Sequence, residues 1–228
     1  TTAYEIAWRL VGSEMCIRDR GGSILNTSRT NPAKSSSDLS DAISTLQKLD
    51  IHKLITIGGD DTAFGASEIA KYSKNRIKIA HIPKTIDNDL PLPGNMPTFG
   101  YETARHVGSE IVSNIKEDSR STNRWYFIVA MGRHTGHLAL GIGKASAATI
   151  TIIPEEFKDD QITISDVCDI IEGSIIKRHI LGRPDGTVII AEGIAEKLNM
   201  EQLEKDQQIN VPRDEYGNVK LADLPLSR

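Results

Sequence analysis

The chain has 228 residues, of which 39% are hydrophobic and 25% charged, with a formal net charge of −4. That balance describes a globular protein and excludes the basic face of a nucleic-acid binder, and no apolar run approaches the roughly 18 to 20 residues of a membrane-spanning helix. Two cysteines, Cys16 and Cys168, neither in a CxxC pair, fit a reducing compartment, and with no signal peptide visible the expected location is cytoplasmic.

Residues 1–20 show neither helical nor strand periodicity. Val11 to Arg20 looks like translated sequencing-adapter sequence, so 1–20 is read as foreign to the fold, the alternative being a divergent N-terminal helix. Gly21 to Arg29 reads as a glycine-rich loop carrying an exposed arginine. Asp38 or Ser40 is expected to cap a helix running through Leu49, with Leu39, Ile43, Leu46 and Leu49 on its apolar face. A strand follows over 54–57, a helix over 62–72 and a strand over 77–82, and 90–97, with three prolines and a glycine, is a loop. A long helix is predicted over 101–117 with Ala104, Val107, Ile111 and Ile115 as its stripe. Strands are predicted over 125–130, 149–153 and 187–191, and helices over 137–147 and 164–177. The polar tail from 199 carries a turn at 216–218. Strands alternating with helices imply an α/β protein with a doubly wound, mainly parallel sheet.

In such sheets ligands gather beyond the carboxyl ends of the strands. Here those ends carry Asp60 and Asp61, the run from Lys84 to Asp89, Met131-Gly132-Arg133, and Glu192, with Arg29 on the early loop. Gly58 and Gly59 let backbone N–H groups approach phosphate oxygens, and Asp60 is a hard oxygen ligand suited to Mg²⁺ bridged to phosphates. Lys84 and Arg29 can neutralise a phosphoryl group in transfer, and Asp87 is the best candidate to accept a hydroxyl proton. Arg133 and Arg124 are candidates for a substrate phosphate. His134 and His137 have no third ligand nearby and read as packing or phosphate-side contacts rather than a metal site. Adjacent Glu155 and Glu156 read as a solvated turn, Trp125, Tyr126 and Phe127 as core strand, and Cys168 as buried and inert.

At these residues the chain resembles the phosphofructokinase family. The matching pieces are Gly22-Ser23-Ile24-Leu25 with Ser28-Arg29, GGDDT at 58–62, PKTIDND at 83–89, TFGYETA at 98–104, NRWYFIVAMGR at 123–133 and AEG at 191–193. The resemblance implies two Rossmann-like lobes, with 21–100 holding the phosphoryl donor and metal and 101–228 holding fructose 6-phosphate. It implies that Asp87, with Thr85 beside it, accepts the proton of the sugar 1-hydroxyl. Asp60 would hold Mg²⁺. Thr85, Ile86, Asp87, Met131, Gly132, Arg133 and Glu192 would contact the sugar phosphate, with Arg124 reaching that of a neighbouring subunit in a homo-oligomer. Arg29 would bridge the phosphates during transfer. Gly58, Gly59, Asp61, Thr62 and Lys84 would form the donor site.

Asp61 and Lys84 together resemble the pyrophosphate-dependent branch, because a carboxylate at 61 crowds and repels the α-phosphate of a nucleotide. The activity expected is reversible phosphoryl transfer from pyrophosphate to fructose 6-phosphate in glycolysis; the alternatives are an ATP-dependent phosphofructokinase and a non-catalytic regulatory subunit of one. Relative to the family pattern, the strand and glycine loop expected upstream and the basic residues expected downstream are missing, so the chain reads as an internal fragment, inactive by itself.

Overall fold

A computed structural model describes residues 30–74, 76–158 and 162–198. The readings of 1–20, of the loop ending at Arg29 and of the tail from 199 lie outside the described residues.

Two three-stranded sheets carry the architecture. In the first, β1 (Lys53–Gly58) pairs in parallel with β2 (Lys78–Thr85), which pairs in parallel with the short β3 (Phe99–Gly100). Helix α1 (Ser36–Lys48) and helix α2 (Asp60–Tyr72) precede and follow β1. Leu39 and Ile43 of α1 and Ile69 of α2 are buried together, against Leu54 of β1 and Ile79 of β2. Alternate residues of the same strands point the other way, where Ile55, Ile57 and Ile82 are 65%, 53% and 40% exposed. Helix α1 is capped by Ser35, whose hydroxyl accepts from the Asp38 N–H at 3.1 Å, rather than by Asp38 or Ser40. Leu49 falls past the helix and is exposed.

The second sheet has the order β4 (Trp125–Ala130), β6 (Gly186–Ala191), β5 (Ile150–Ile152), all parallel. Its central strand β6 is buried on both faces, as the continuous apolar run Val188-Ile189-Ile190 requires. Ile189 and Ala191 meet helices α3 (Tyr101–Thr122) and α4 (His137–Ser146) through Val112, Leu138, Ala139 and Ile142. Val188 and Ile190 face α5 (Ile164–Ile180) through Val167 and Ile171. A short helix, α6 (Gly193–Lys197), follows β6.

Helix α3 runs past the predicted 117, and only part of the predicted stripe meets the core: Ala104 packs there and Ile115 is half-buried. Val107 and Ile111 are exposed, while Val112 is 3% exposed. A Cβ on Gly108 would sit 2.5 Å from Ile142 Cδ1, so the buried stripe is the one whose small residues let α4 come close. Near its end, Ser119, wholly buried, donates to the carbonyl of Arg124 at 2.7 Å and lies 3.1 Å from that of Gly186, which ties the helix to the starts of β4 and β6. Two further expectations are corrected. Phe127 of β4 is 53% exposed rather than core. Cys168 is exposed on α5. Glu155 and Glu156 are exposed in a single turn, as expected, and Glu155 also accepts the Gly136 N–H at 2.8 Å at the start of α4.

Candidate active site

The carboxyl ends of β1, β2, β4 and β6 converge. β1 ends at Gly58, and the chain enters α2 at Asp60, two residues earlier than sequence periodicity predicted. Asp60 and Asp61 thereby occupy the first turn of a helix, where carboxylates complement the N-terminal dipole. Gly58 is required for a local reason: a Cβ there would stand 2.2 Å from Thr62 Oγ1. Gly59 is different, since an added Cβ meets nothing within 4 Å.

β2 does not stop at Ile82 but continues through Pro83 and Lys84 to Thr85. Pro83 is tolerated in the middle strand because it faces Gly58, the last rung of β1, and pairing with β3 begins only at Lys84. Beyond the strand, the Asp87 N–H donates to Thr85 Oγ1 and that hydroxyl donates to Asp87 Oδ2, both at 3.1 Å. Thr98, 2% exposed, donates its hydroxyl to the Thr85 carbonyl at 2.7 Å and its N–H to Asn88 Oδ1 at 2.9 Å. Asn88 sits at a positive φ of 55°, which its side chain helps to hold.

The second sheet supplies the other wall. After β4, Gly132 adopts φ +152°, and Arg133 follows at φ 49°. A side chain on Gly132 would also meet the Thr135 carbonyl oxygen at 2.6 Å, so this sharp reversal needs glycine. The Glu192 carboxylate, at the end of β6, accepts the N–H of Gly132 at 3.0 Å and that of Arg133. The turn aims the Arg133 guanidinium across to the first sheet, with Nη1 3.2 Å from Asp60 Oδ1 and Nε 3.6 Å from Asp87 Oδ2.

Asp87 is the buried member of this cluster, 7% exposed. Burial pushes its carboxyl above the ordinary carboxylate range; the Thr85 hydroxyl and Arg133 oppose that shift, while Asp89 and Glu192 add to it. A carboxylate of raised proton affinity, aligned by a hydroxyl and facing a cation, is equipped to take a proton from an incoming alcohol.

The structure therefore brings together Asp60, Thr85, Asp87, Gly132, Arg133 and Glu192. Lys84 is exposed near the end of β2 and Asp61 in the first turn of α2, and Met131 is exposed beside Gly132. Ile86 packs its side chain on the core of the second sheet. Arg124 precedes β4 and so lies at the opposite end of that strand from Arg133. Arg29 lies outside the described residues. His134 pairs with Glu196, and His137 Nδ1 lies 2.8 Å from the Asn88 carbonyl. Among the described residues, no group of three or more His, Cys, Asp or Glu side chains could hold a metal ion, and no helix is long and apolar enough to cross a membrane. Sequence reasoning missed Thr98, Thr135 and His137 as holders of the 85–89 loop; the one available signal was Thr98 at the head of TFGYETA.

Residues 5–224 match the Phosphofructokinase family model. The chain is 58% identical over 211 residues to a pyrophosphate–fructose 6-phosphate 1-phosphotransferase of Thermotoga maritima, covering 92% of this chain and 50% of the relative. It is 45% identical over 219 residues to a Naegleria fowleri protein of the same name, covering 93% and 50%. Among solved structures, Pichia pastoris phosphofructokinase in the T-state superposes with a TM-score of 0.67 at 26% identity, over 81% of this chain and 21% of that one. The chain thus spans about half the length of the curated relatives it matches. It belongs to the phosphofructokinase family.

Proposed function

We propose that this member of the phosphofructokinase family carries the catalytic half-site of a pyrophosphate-dependent phosphotransferase acting on the 1-hydroxyl of fructose 6-phosphate. The observation that supports this most is the meeting of Asp87, Arg133 and Asp60 from two different sheets. The hydroxyl oxygen of the sugar attacks the terminal phosphorus of pyrophosphate, its proton passes to Asp87, and inorganic phosphate leaves. The Thr85 hydroxyl fixes one oxygen of the Asp87 carboxylate, leaving the other to face the substrate. Arg133 and Glu192 position the sugar phosphate: Glu192 holds the Gly132-Arg133 backbone, and the guanidinium supplies the cation. Arg29 and Lys84 neutralise charge on the transferring group.

Mg²⁺ commonly takes one or two carboxylates and fills its remaining positions with water and substrate phosphate oxygens. Asp60, half exposed at the head of α2, fits that role as a single carboxylate ligand. When bound, the ion supplies charge neutralisation between the phosphates of the donor.

Donor choice rests on Asp61 and Lys84. A nucleotide would bring its α-phosphate against Asp61, and two unit charges about 4 Å apart at an effective dielectric near 20 repel by about 4 kcal/mol before screening. Pyrophosphate has no phosphate beyond that point, and Lys84 offers a cation in place of nucleoside contacts. The names carried by the two relatives described above agree with this reading. In a homo-oligomer, Arg124 would serve the sugar phosphate of the neighbouring subunit.

The test is Asp61→Gly in a full-length enzyme carrying residues 30–198 of this chain in place of the matching stretch of the Thermotoga maritima relative, assayed with both donors. The parent is expected to use pyrophosphate, and the variant to gain ATP-dependent turnover by at least tenfold. An unchanged donor ratio would refute the argument.

A further inference from the structure

The 85–89 loop belongs to the first sheet, but two of its consecutive backbone carbonyls are held by the second. Thr135 Oγ1 lies 3.0 Å from the Asp87 carbonyl oxygen and 3.1 Å from that of Gly132. A hydroxyl has one proton to donate, so these two carbonyls share it. His137 Nδ1 lies 2.8 Å from the carbonyl oxygen of Asn88. A carbonyl only accepts, so Nδ1 carries the proton in this contact. Tyr101 in turn donates its hydroxyl to the His137 carbonyl at 3.2 Å, which fixes the segment that presents the histidine.

The segment from Gly132 to His137 therefore does two things at once. Through Arg133 it reaches the carboxylates of Asp87 and Asp60. Through Thr135 and His137 it holds the backbone from which the Asp87 carboxylate projects. Asp87 and Asn88 are carried by a loop with one residue at positive φ, so the direction of the carboxylate depends on these backbone anchors.

We infer that Thr135 is a positioning residue for the reaction, and that its hydroxyl, assisted by His137, sets the Asp87 carboxylate against the acceptor hydroxyl by bridging the two sheets. The inference rests on the proposed role of Asp87 as proton acceptor. Thr135 touches no reacting atom; it acts through the Asp87 main chain. A misplacement of about 1 Å at such a group costs on the order of a hundredfold in rate, and loss of one of several anchors costs less.

The experiment uses the full-length enzyme described above with pyrophosphate and fructose 6-phosphate. Thr135→Val keeps the shape and removes the donor. It is expected to lower kcat about tenfold while KM for fructose 6-phosphate changes less than twofold. Thr135→Ser, which restores a hydroxyl, returns kcat to within about twofold of the parent, and His137→Ala adds a further several-fold loss to Thr135→Val. The decisive measurement is Thr135→Val in an Asp87→Asn background. If Thr135 acts through Asp87, the tenfold effect disappears there; a merely structural contact keeps it. An active parent with unchanged kcat in Thr135→Val, no rescue by Thr135→Ser, or full additivity with Asp87→Asn would each overturn the inference. A parent with no pyrophosphate-dependent turnover, or one indifferent to Asp87→Asn, would instead overturn the functional reading beneath it.

Discussion

Removing Arg133 and neutralising Glu192 are expected to shift the pH dependence of turnover in opposite directions. Arg133 Nε stands 3.6 Å from Asp87 Oδ2. At an effective dielectric near 20 that separation gives an attraction of about 4.6 kcal/mol, an upper bound. Arg133 is 54% exposed while Asp87 is 10% exposed at the side chain, so water screens the pair well below that bound but not to the level of a fully exposed pair. A working figure of about 1 to 2 kcal/mol corresponds to roughly a 5- to 30-fold change in the ratio of ionised to protonated Asp87. Burial has raised the proton affinity of this carboxyl; the Thr85 hydroxyl opposes that most, and Arg133 is the charged group that opposes it. In Arg133→Met the acid limb of kcat therefore moves to higher pH. Glu192 acts with the opposite sign, so in Glu192→Gln the limb moves to lower pH, while the amide oxygen still accepts the N–H groups of Gly132 and Arg133. The assay is kcat of the full-length enzyme described above across pH 5 to 9 at saturating fructose 6-phosphate. Limbs that move in the same direction, or a limb that falls in Arg133→Met, would refute the assignment of Asp87 as the titrating base.

Asp87 also makes a stability prediction. Its carboxyl binds its proton more tightly folded than unfolded, so the folded state loses stability as pH rises from the ordinary carboxylate value up through the raised value of the folded state. Asp87→Asn is expected to raise the melting temperature at pH 8 and leave it nearly unchanged at pH 3, read by thermal melts at the two pH values; a gain at pH 3 as large as that at pH 8 would contradict it. Ser119→Ala removes the donor that holds the carbonyls of Arg124 and Gly186 at a site with no solvent, at a cost of about 1 to 3 kcal/mol. Denaturant unfolding with an unchanged midpoint would count against that role.

How much of this was legible in the sequence depended on the range of the interaction. Strands β4 and β6, of which only β6 is buried on both faces, are continuous apolar runs closed by glycine or acidic residues, and those runs mark their ends. The stripe of α3 was only partly legible: Ala104 does pack on the core, but a helix with apolar residues on two sides leaves the rest of the choice to its neighbour. Here α4 approaches Gly108 so closely that the face of small residues wins over Val107 and Ile111. The start of α2 was misplaced because Asp60 and Asp61 read as a turn, yet carboxylates suit a first helical turn equally well. Asp87 and Arg133 could be nominated from residue type and position at a strand end. The loop-holding contacts of Thr98, Thr135 and His137 could not, although Thr98 heads TFGYETA and His137 read as a packing contact, since those contacts span 13, 48 and 49 residues and involve main-chain carbonyls that leave no mark on composition.

The bare side of the first sheet has a practical consequence. Parallel strands are ordinarily sheltered on both sides, and each aliphatic side chain left half in water forgoes on the order of 1 kcal/mol. With Ile55, Ile57 and Ile82 all facing solvent on neighbouring strands, the chain has a strong incentive to find shelter, if need be against other copies of itself. Protein concentration then becomes a variable to control, and a melting temperature that shifts across a dilution series is the expected sign of it; a constant one would count against it.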